Sequence, residues 1–180
     1  MPVRRVALIR GINVGRAKRV AMADLRRLVE GLGYGDVRTL LNSGNVVYSV
    51  ARSSAPSAAP RIEAALLREL GVAARVTELT AAELSAAVED NPLLGVATNP
   101  SRLLVTVLAR PADRARLAPL AKQRWGAERL AIGRRVAFLW CPRGQLESPL
   151  AQAVWRALGD GVTSRNWATF SKLAELARAP

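Results

Sequence analysis

The spacing of apolar residues changes along this chain, and each change marks an element. Val3, Val6, Ala7, Leu8 and Ile9 make a short dense run, which predicts a buried strand. Between Ala21 and Leu32, the apolar residues Met22, Leu25, Leu28, Val29 and Leu32 recur every three or four positions. That period is an amphipathic helix, and Gly33 is its stop. Residues 36–41 and 46–50 read as strands on either side of Asn42-Ser43-Gly44-Asn45. Gly and Asn tolerate positive φ, so this tetrapeptide predicts a hairpin turn. A Ser/Ala/Pro loop follows over 51–59. A second helix then runs from Pro60 to Leu70, with Ile62, Leu66, Leu67 and Leu70 on one stripe, and a fourth strand covers 72–79. The order β-α-β-β-α-β is the split βαβ or ferredoxin-like motif.

Thr80-Ala-Ala-Glu83 has capping-box spacing and predicts a short helix ending near Asn91-Pro92. Pro92, Gly95, Asn99 and Pro100 then interrupt any period. Beyond them the order repeats. A strand spans 102–108, a helix 112–123, and two strands, 128–132 and 135–140, meet at the Gly133-Arg134 turn. Ser148-Pro149 opens a helix to Leu158, a short strand follows at 162–164, and Asn166 caps a last helix from Trp167 to Ala177. The predicted class is α+β: two tandem ferredoxin-like (βαββαβ-type) halves, each followed by an extra helix. Residues 1–90 are the N-terminal subdomain, 91–101 the linker, and 102–180 a C-terminal α+β subdomain of similar element order. Residue identity between the halves is slight.

Composition narrows the chemistry. The 180 residues include no histidine and one cysteine, Cys141. A Ser-His-Asp triad, a Cys-His pair, histidine metal ligands, disulfides and Cys-x-x-Cys redox pairs are all excluded. No metal and no cofactor is expected. No apolar run reaches the ~18 residues of a membrane span. Arg4 and Arg5 precede only Val6–Ile9, too short for a signal-peptide core, so the expected location is cytoplasmic. Lys+Arg is 27 against 14 Asp+Glu, a formal net charge of +13. Residues 1–90 carry 13 basic and 9 acidic groups, and residues 91–180 carry 14 and 5. Such a field attracts polyanions and phosphates, and it also serves simply to keep a surface solvated.

With right-handed crossovers, the first two strands run parallel and the third lies antiparallel between them. Arg10-Gly-Ile-Asn-Val-Gly15 and Asn42-Ser-Gly-Asn45 are then neighbours at one end of the sheet. Gly-rich loops expose backbone N–H groups, which suit an anion. Arg10, Arg16, Lys18 and Arg19 bring cations, and Asn13, Asn42 and Asn45 can both donate and accept. The candidate binding residues are therefore Arg10, Gly11, Asn13, Gly15, Arg19, Asn42, Ser43, Gly44 and Asn45. A second polar cluster, Thr163-Ser-Arg-Asn-Trp167, adds Arg165 and Asn166. A purely architectural reading stands beside this one: the glycines permit tight turns, Asn166 caps a helix, and Trp167 anchors a core. Neither phosphate-loop nor dinucleotide glycine spacing is matched. Trp125, Trp140 and Trp155 read as packing residues, and Cys141 as inert.

These segments also carry a resemblance. Ala7-Leu-Ile-Arg-Gly-Ile-Asn-Val-Gly15, Met22-Ala-Asp-Leu-Arg26, Val37-Arg-Thr39, Ser43-Gly-Asn-Val-Val47, Asn91-Pro92 and Thr163-Ser-Arg-Asn-Trp167 resemble a bacterial family, domain of unknown function 1697, nearly end to end. The resemblance implies a two-part α+β protein with a ferredoxin-like first half, and it brings no established activity. The family's first loop usually continues Gly-Lys-Asn-Lys-Val-Pro-Met. Here Arg16-Ala-Lys-Arg-Val-Ala-Met22 stands in its place, with Arg19 keeping the second positive charge.

Three functions compete. One is binding of a phosphate-bearing small molecule or other anion at the two loops. Another is a nucleic-acid module using the basic surface, although the first-half strands offer only Tyr48 for base stacking, and the second half Phe138 and Trp140. The third is an enzyme of unknown class, for which Lys18, Asp24, Tyr34 and Asp36 lie nearest the loops without diagnostic spacing.

Overall fold

The computed structural model describes residues 2–16 and 18–179. Among them the chain forms six α-helices and two four-stranded antiparallel sheets, an α+β architecture. It divides into two compact units, Met1–Leu84 with Leu173–Pro180, and Ser85–Lys172.

The first unit contains β1 (Val3–Ile9), α1 (Met22–Gly31), β2 (Gly35–Leu40), β3 (Asn45–Val50), α2 (Ala59–Leu70) and β4 (Val76–Thr80). The sheet order is β2-β3-β1-β4, with every neighbouring pair antiparallel. β1 and β2 therefore run parallel with β3 between them, so the loops that leave them lie at one end of the sheet. Strand alternation sends Ala7, Ile9, Val46, Tyr48 and Val76 to the face that meets Leu25, Leu28 and Val29 of α1 and Ile62 and Leu66 of α2. Arg4 points to the other face, where its guanidinium donates to the Leu176 carbonyl at 2.8 Å.

On the helix-covered face, Arg5 of β1 and Glu78 of β4 form an ion pair at 2.9 Å, with side chains only 5% and 10% exposed. The other Glu78 oxygen accepts from the Tyr48 hydroxyl and from the Ala58 N–H that leads into α2. Burial first, and then the carboxylate beside it, holds the Tyr48 phenol well above its ordinary pKa.

Residues 72–75 are loop, although their alternation reads as strand. Gly71 ends α2 in the left-handed region at φ 61°, and the Val72 N–H turns back to the Leu66 carbonyl at 3.0 Å. Val72 is thereby buried as the hydrophobic contact of a helix C-terminus, not as a strand residue.

The chain continues through α3 (Ala81–Glu89), β5 (Leu103–Val107), α4 (Asp113–Ala121), β6 (Arg129–Ile132), β7 (Val136–Trp140), α5 (Pro149–Leu158), β8 (Thr163–Asn166) and α6 (Trp167–Arg178). The unit boundary falls inside α3 and again inside α6. The second sheet repeats the first one's order as β6-β7-β5-β8. Leu104, Leu108 and Leu139 pack there with Leu117 of α4 and Leu150 and Val154 of α5. The predicted caps form. Thr80 and Glu83 exchange backbone–side-chain bonds, Ser148 Oγ accepts from the Ala151 N–H at 2.9 Å, and Asn166 Oδ1 accepts from the Thr169 N–H at 2.9 Å.

Candidate functional site

In the first sheet, Asn45 of β3 sits opposite both Leu8 of β1 and Leu40 of β2. The chain segments that leave β1 and β2 therefore emerge side by side. Two contacts lock them together. The Ile9 N–H donates to the Gly44 carbonyl at 2.8 Å, and Asn13 Nδ2 donates to the Asn42 carbonyl at 2.8 Å. A third loop, 71–75, joins the same rim because β4 is antiparallel to β1, with Ile9 opposite Val76. The Arg10 N–H donates to the Arg75 carbonyl at 2.9 Å, and Lys18 Nζ to the Gly71 carbonyl at 3.2 Å. Sequence reasoning missed this loop because it read 72–75 as strand. The left-handed Gly71 was the available signal.

The seam between the two predicted loops is filled. A Cβ placed on Gly44 would lie 2.9 Å from Ile9 Cβ and 3.0 Å from Ile12 Cδ1. Gly44 thus admits the buried Ile12 side chain rather than a ligand. Asn45 is fully buried and donates to the Leu40 carbonyl and to Ser43 Oγ, both at 2.9 Å, which fixes the hairpin turn. Asn13 donates to the Val20 carbonyl at 2.8 Å and accepts from the Val20 N–H at 2.8 Å, so its side chain closes its own loop as well as reaching Asn42. Asn13 also holds φ 56°, a conformation Asn tolerates better than most residues. Replacing it with Ala removes three hydrogen bonds, with an expected loss of about 2 kcal/mol in chemical denaturation.

Other parts of the rim stay open. Gly11 at φ 74° and Gly15 at φ 53° have nothing within 4 Å of an added Cβ. Arg19 is exposed and donates to the Asn13 carbonyl at 3.0 Å. Arg10 is half-buried and Arg16 exposed, and neither side chain has a partner among the described residues. Other arginines of this unit differ among themselves. Arg26 pairs with Glu30, Arg27 with Asp24, Arg68 with Glu69, and Arg75, on the third rim loop, lies 3.9 Å from Glu63. Exposed Arg38 and Arg52, in contrast, pair with no carboxylate among the described residues, and Arg61 donates to Tyr34 and the Leu32 carbonyl. Among the described residues, no carboxylate pairs with Arg10, Arg16, Lys18 or Arg19.

The equivalent end of the second unit is built differently. The Leu108 N–H donates to the Arg135 carbonyl at 2.8 Å, mirroring the Ile9–Gly44 bond. There, however, Asp113 accepts from the Arg110 N–H at 2.9 Å and lies 3.7 and 4.0 Å from the Arg110 and Arg116 guanidiniums. A carboxylate thus serves the loop after β5, whereas at the first rim Glu63 reaches only Arg75 and, among the described residues, no carboxylate pairs with the 10–19 loop after β1.

Arg165 and Asn166 belong to β8 of the second unit, and the acceptor of Asn166 serves as the α6 cap. Burial lowers Arg165 to about 10, which leaves it cationic at neutral pH. The groups weighed for acid–base chemistry are engaged elsewhere. Asp24 pairs with Arg27, Asp36 accepts from Ser49 Oγ at 3.2 Å, and Tyr34 accepts from Arg61 at 3.1 Å. Cys141 is buried, which pushes its thiol up and makes it a poor nucleophile. Among the described residues, no group of three or more His, Cys, Asp or Glu is arranged to hold a metal, and no helix is long and apolar enough to cross a membrane. Tyr48, Phe138 and Trp140 are all buried, which withdraws the sheet aromatics from base stacking.

Among solved structures, the chain is similar to conserved bacterial protein SP0830 from Streptococcus pneumoniae, with a TM-score of 0.75 and 22% identity. The match covers 99% of this chain and 100% of that one, which establishes a shared fold. No curated protein matches the sequence. The model of the family described as "Protein of unknown function (DUF1697)" matches residues 3–138, well over half of the chain. With the motifs of the first loop, the hairpin and the first sheet all inside that match, the chain belongs to the DUF1697 family.

Proposed function

We propose that the rim formed by the 10–19 and 41–45 loops binds a phosphate-bearing small molecule in the cytoplasm. Arg10, Arg16 and Arg19, with the amides of Gly11 and Gly15, make the ligand contacts. Asn13, Asn42, Ser43, Gly44 and Asn45 hold the loops in place. The reading rests on one observation: Arg10, Arg16, Lys18 and Arg19 lie in one short segment of this rim and none of them pairs with a carboxylate among the described residues, whereas Arg26, Arg27 and Arg68 each do. Uncompensated guanidinium groups beside open glycine backbone are the chemistry an oxyanion requires. Each half, 1–90 and 102–180 about the 91–101 linker, is on this reading one ferredoxin-like copy followed by a helix. The shared strand order supports this division, with Arg165 and Asn166 serving the second copy. The basic surface also suits nucleic acid, but the buried aromatics favour the small ligand.

Pyrophosphate is a suitable probe. At a hundredfold excess over Kd, bound ligand stabilises by about 2.7 kcal/mol, which raises Tm by roughly 5–10 °C in a chain of this size. The Arg10→Ala/Arg16→Ala variant is expected to lose that shift, and Arg26→Ala/Arg27→Ala to keep it. Equal stabilisation of both variants, or none of the native chain, overturns the proposal. Oligonucleotide affinity that falls linearly with salt on logarithmic axes, without a pyrophosphate response, marks a nucleic-acid module instead.

A further inference from the structure

A second candidate site lies in the second unit, remote in sequence from the rim loops. Between the end of α4 and the start of β6 the chain turns at Gly126, φ 63°, and borders a solvent-open cavity of about 400 Å³. That volume falls within the range of small-molecule sites. Trp125 lines it. Its indole N–H donates to the Leu120 carbonyl at 2.8 Å, which fixes the ring at the last turn of α4. Trp125 is half-buried against the core that contains Leu117 and Leu150, and it also borders the cavity.

Arg124 and Arg129 share the cavity lining with Trp125. Arg124 is exposed, and its guanidinium has no partner among the described residues. One nitrogen of Arg129 donates to the Gly126 and Glu128 carbonyls at 2.6 and 2.8 Å, which holds the side chain in place while its other nitrogens stay available. Glu128 is the one acidic group in the lining, and its carboxylate accepts from the Leu150 N–H at 3.0 Å, at the start of α5. Its charge is directed to a helix N-terminus, which favours anions. The cavity is left with an anchored aromatic surface and two cations.

We propose that this cavity binds a small molecule that carries both a planar aromatic ring and an anionic group, of the nucleoside monophosphate type. The ring stacks on Trp125, and the phosphate takes Arg124 and the free nitrogens of Arg129. Stacking on an aromatic side chain and charge-assisted bonds to guanidinium act together on such a ligand, while a bare phosphate or a nucleoside engages only one of them.

Adenosine 5′-monophosphate is the probe, and the full chain is titrated by calorimetry and by tryptophan fluorescence. The expected result is saturable binding with quenching, weakened about tenfold in Arg124→Ala and about tenfold in Trp125→Phe, which also removes the quenching. Adenosine alone and inorganic phosphate alone are expected to quench the Trp125 fluorescence with at least about tenfold weaker affinity. The Arg26→Ala/Arg27→Ala variant, outside both candidate sites, binds normally; quenching that is lost in Trp125→Phe reads this hollow alone, and any heat that survives in Trp125→Phe belongs to the rim. No saturable binding at millimolar nucleotide, or binding unchanged in both Arg124→Ala and Trp125→Phe, overturns the inference.

Discussion

Replacing Arg5 with alanine is expected to lower the unfolding free energy by about 3–5 kcal/mol, the loss typical when one partner of a buried ion pair is removed. The guanidinium makes four bonds at once. One nitrogen donates to the Pro56 carbonyl at 3.0 Å and to Glu78 at 2.9 Å, and the other donates to the Ser53 and Ala55 carbonyls at 2.9 and 2.6 Å. Truncation strands the Glu78 charge in a buried site and leaves three loop carbonyls without their donor. It also loosens the 51–58 loop, which is then held to the sheet chiefly by the Ala58 N–H bond to Glu78. In a chain of this length the loss corresponds to a Tm lower by roughly 6–20 °C. Tyr48→Phe removes a single bond and costs less, about 1–2 kcal/mol. Folding raises the Tyr48 pKa, so the folded chain holds that proton more tightly than the unfolded one. The stabilisation is complete below the ordinary phenol value of 10.0 and declines as pH rises past it. Urea titration of Arg5→Ala checks the account, and a loss below about 1 kcal/mol contradicts it.

Gly44→Ala is the second large effect, at an expected loss of about 2–4 kcal/mol. Two costs add. The backbone holds φ 80°, which any side chain disfavours, and the new methyl group would sit 2.9 Å from Ile9 Cβ and 3.0 Å from the Ile9 carbonyl oxygen. The carbonyl cannot move away, because β1 is paired on both edges. Gly15→Ala is the internal control: φ is also positive, at 53°, but the space is open. Only the conformational cost applies there, about 1 kcal/mol. Denaturation of the two variants side by side distinguishes the contributions, and equal losses would mean that the Ile9–Ile12 contact is soft.

Local signals were legible where a single segment contains its own physics. The three- and four-residue spacing of Leu25, Leu28 and Leu32, the capping box at Thr80 and Glu83, the Ser148 cap and the Asn42–Asn45 turn all depend on neighbours a few positions away. The meeting of the two loops was also accessible, because chain handedness and strand order leave few alternatives. The Arg5–Glu78 pair was not, since its members are 73 positions apart and each reads as an ordinary strand residue. The inward use of Asn13 and Asn45 was equally hidden. Apart from Ser43 Oγ, the partners named above are backbone groups of Val20, Asn42 and Leu40, whose positions exist only after folding. Composition records how many cations the chain carries, but not which of them acquire carboxylates. Arg26–Glu30 and Arg27–Asp24 follow from helical i,i+4 and i,i+3 spacing, whereas the lack of a carboxylate from elsewhere beside Arg16 is a property of the folded surface.

The most direct test of a rim that binds phosphate is a 1H–15N NMR titration with pyrophosphate. The account predicts saturable shifts concentrated at the amides of Gly11, Gly15, Arg16 and Arg19, absent from the Arg10→Ala/Arg16→Ala variant. Shifts spread evenly over the basic surface, or none at these glycines, would contradict it.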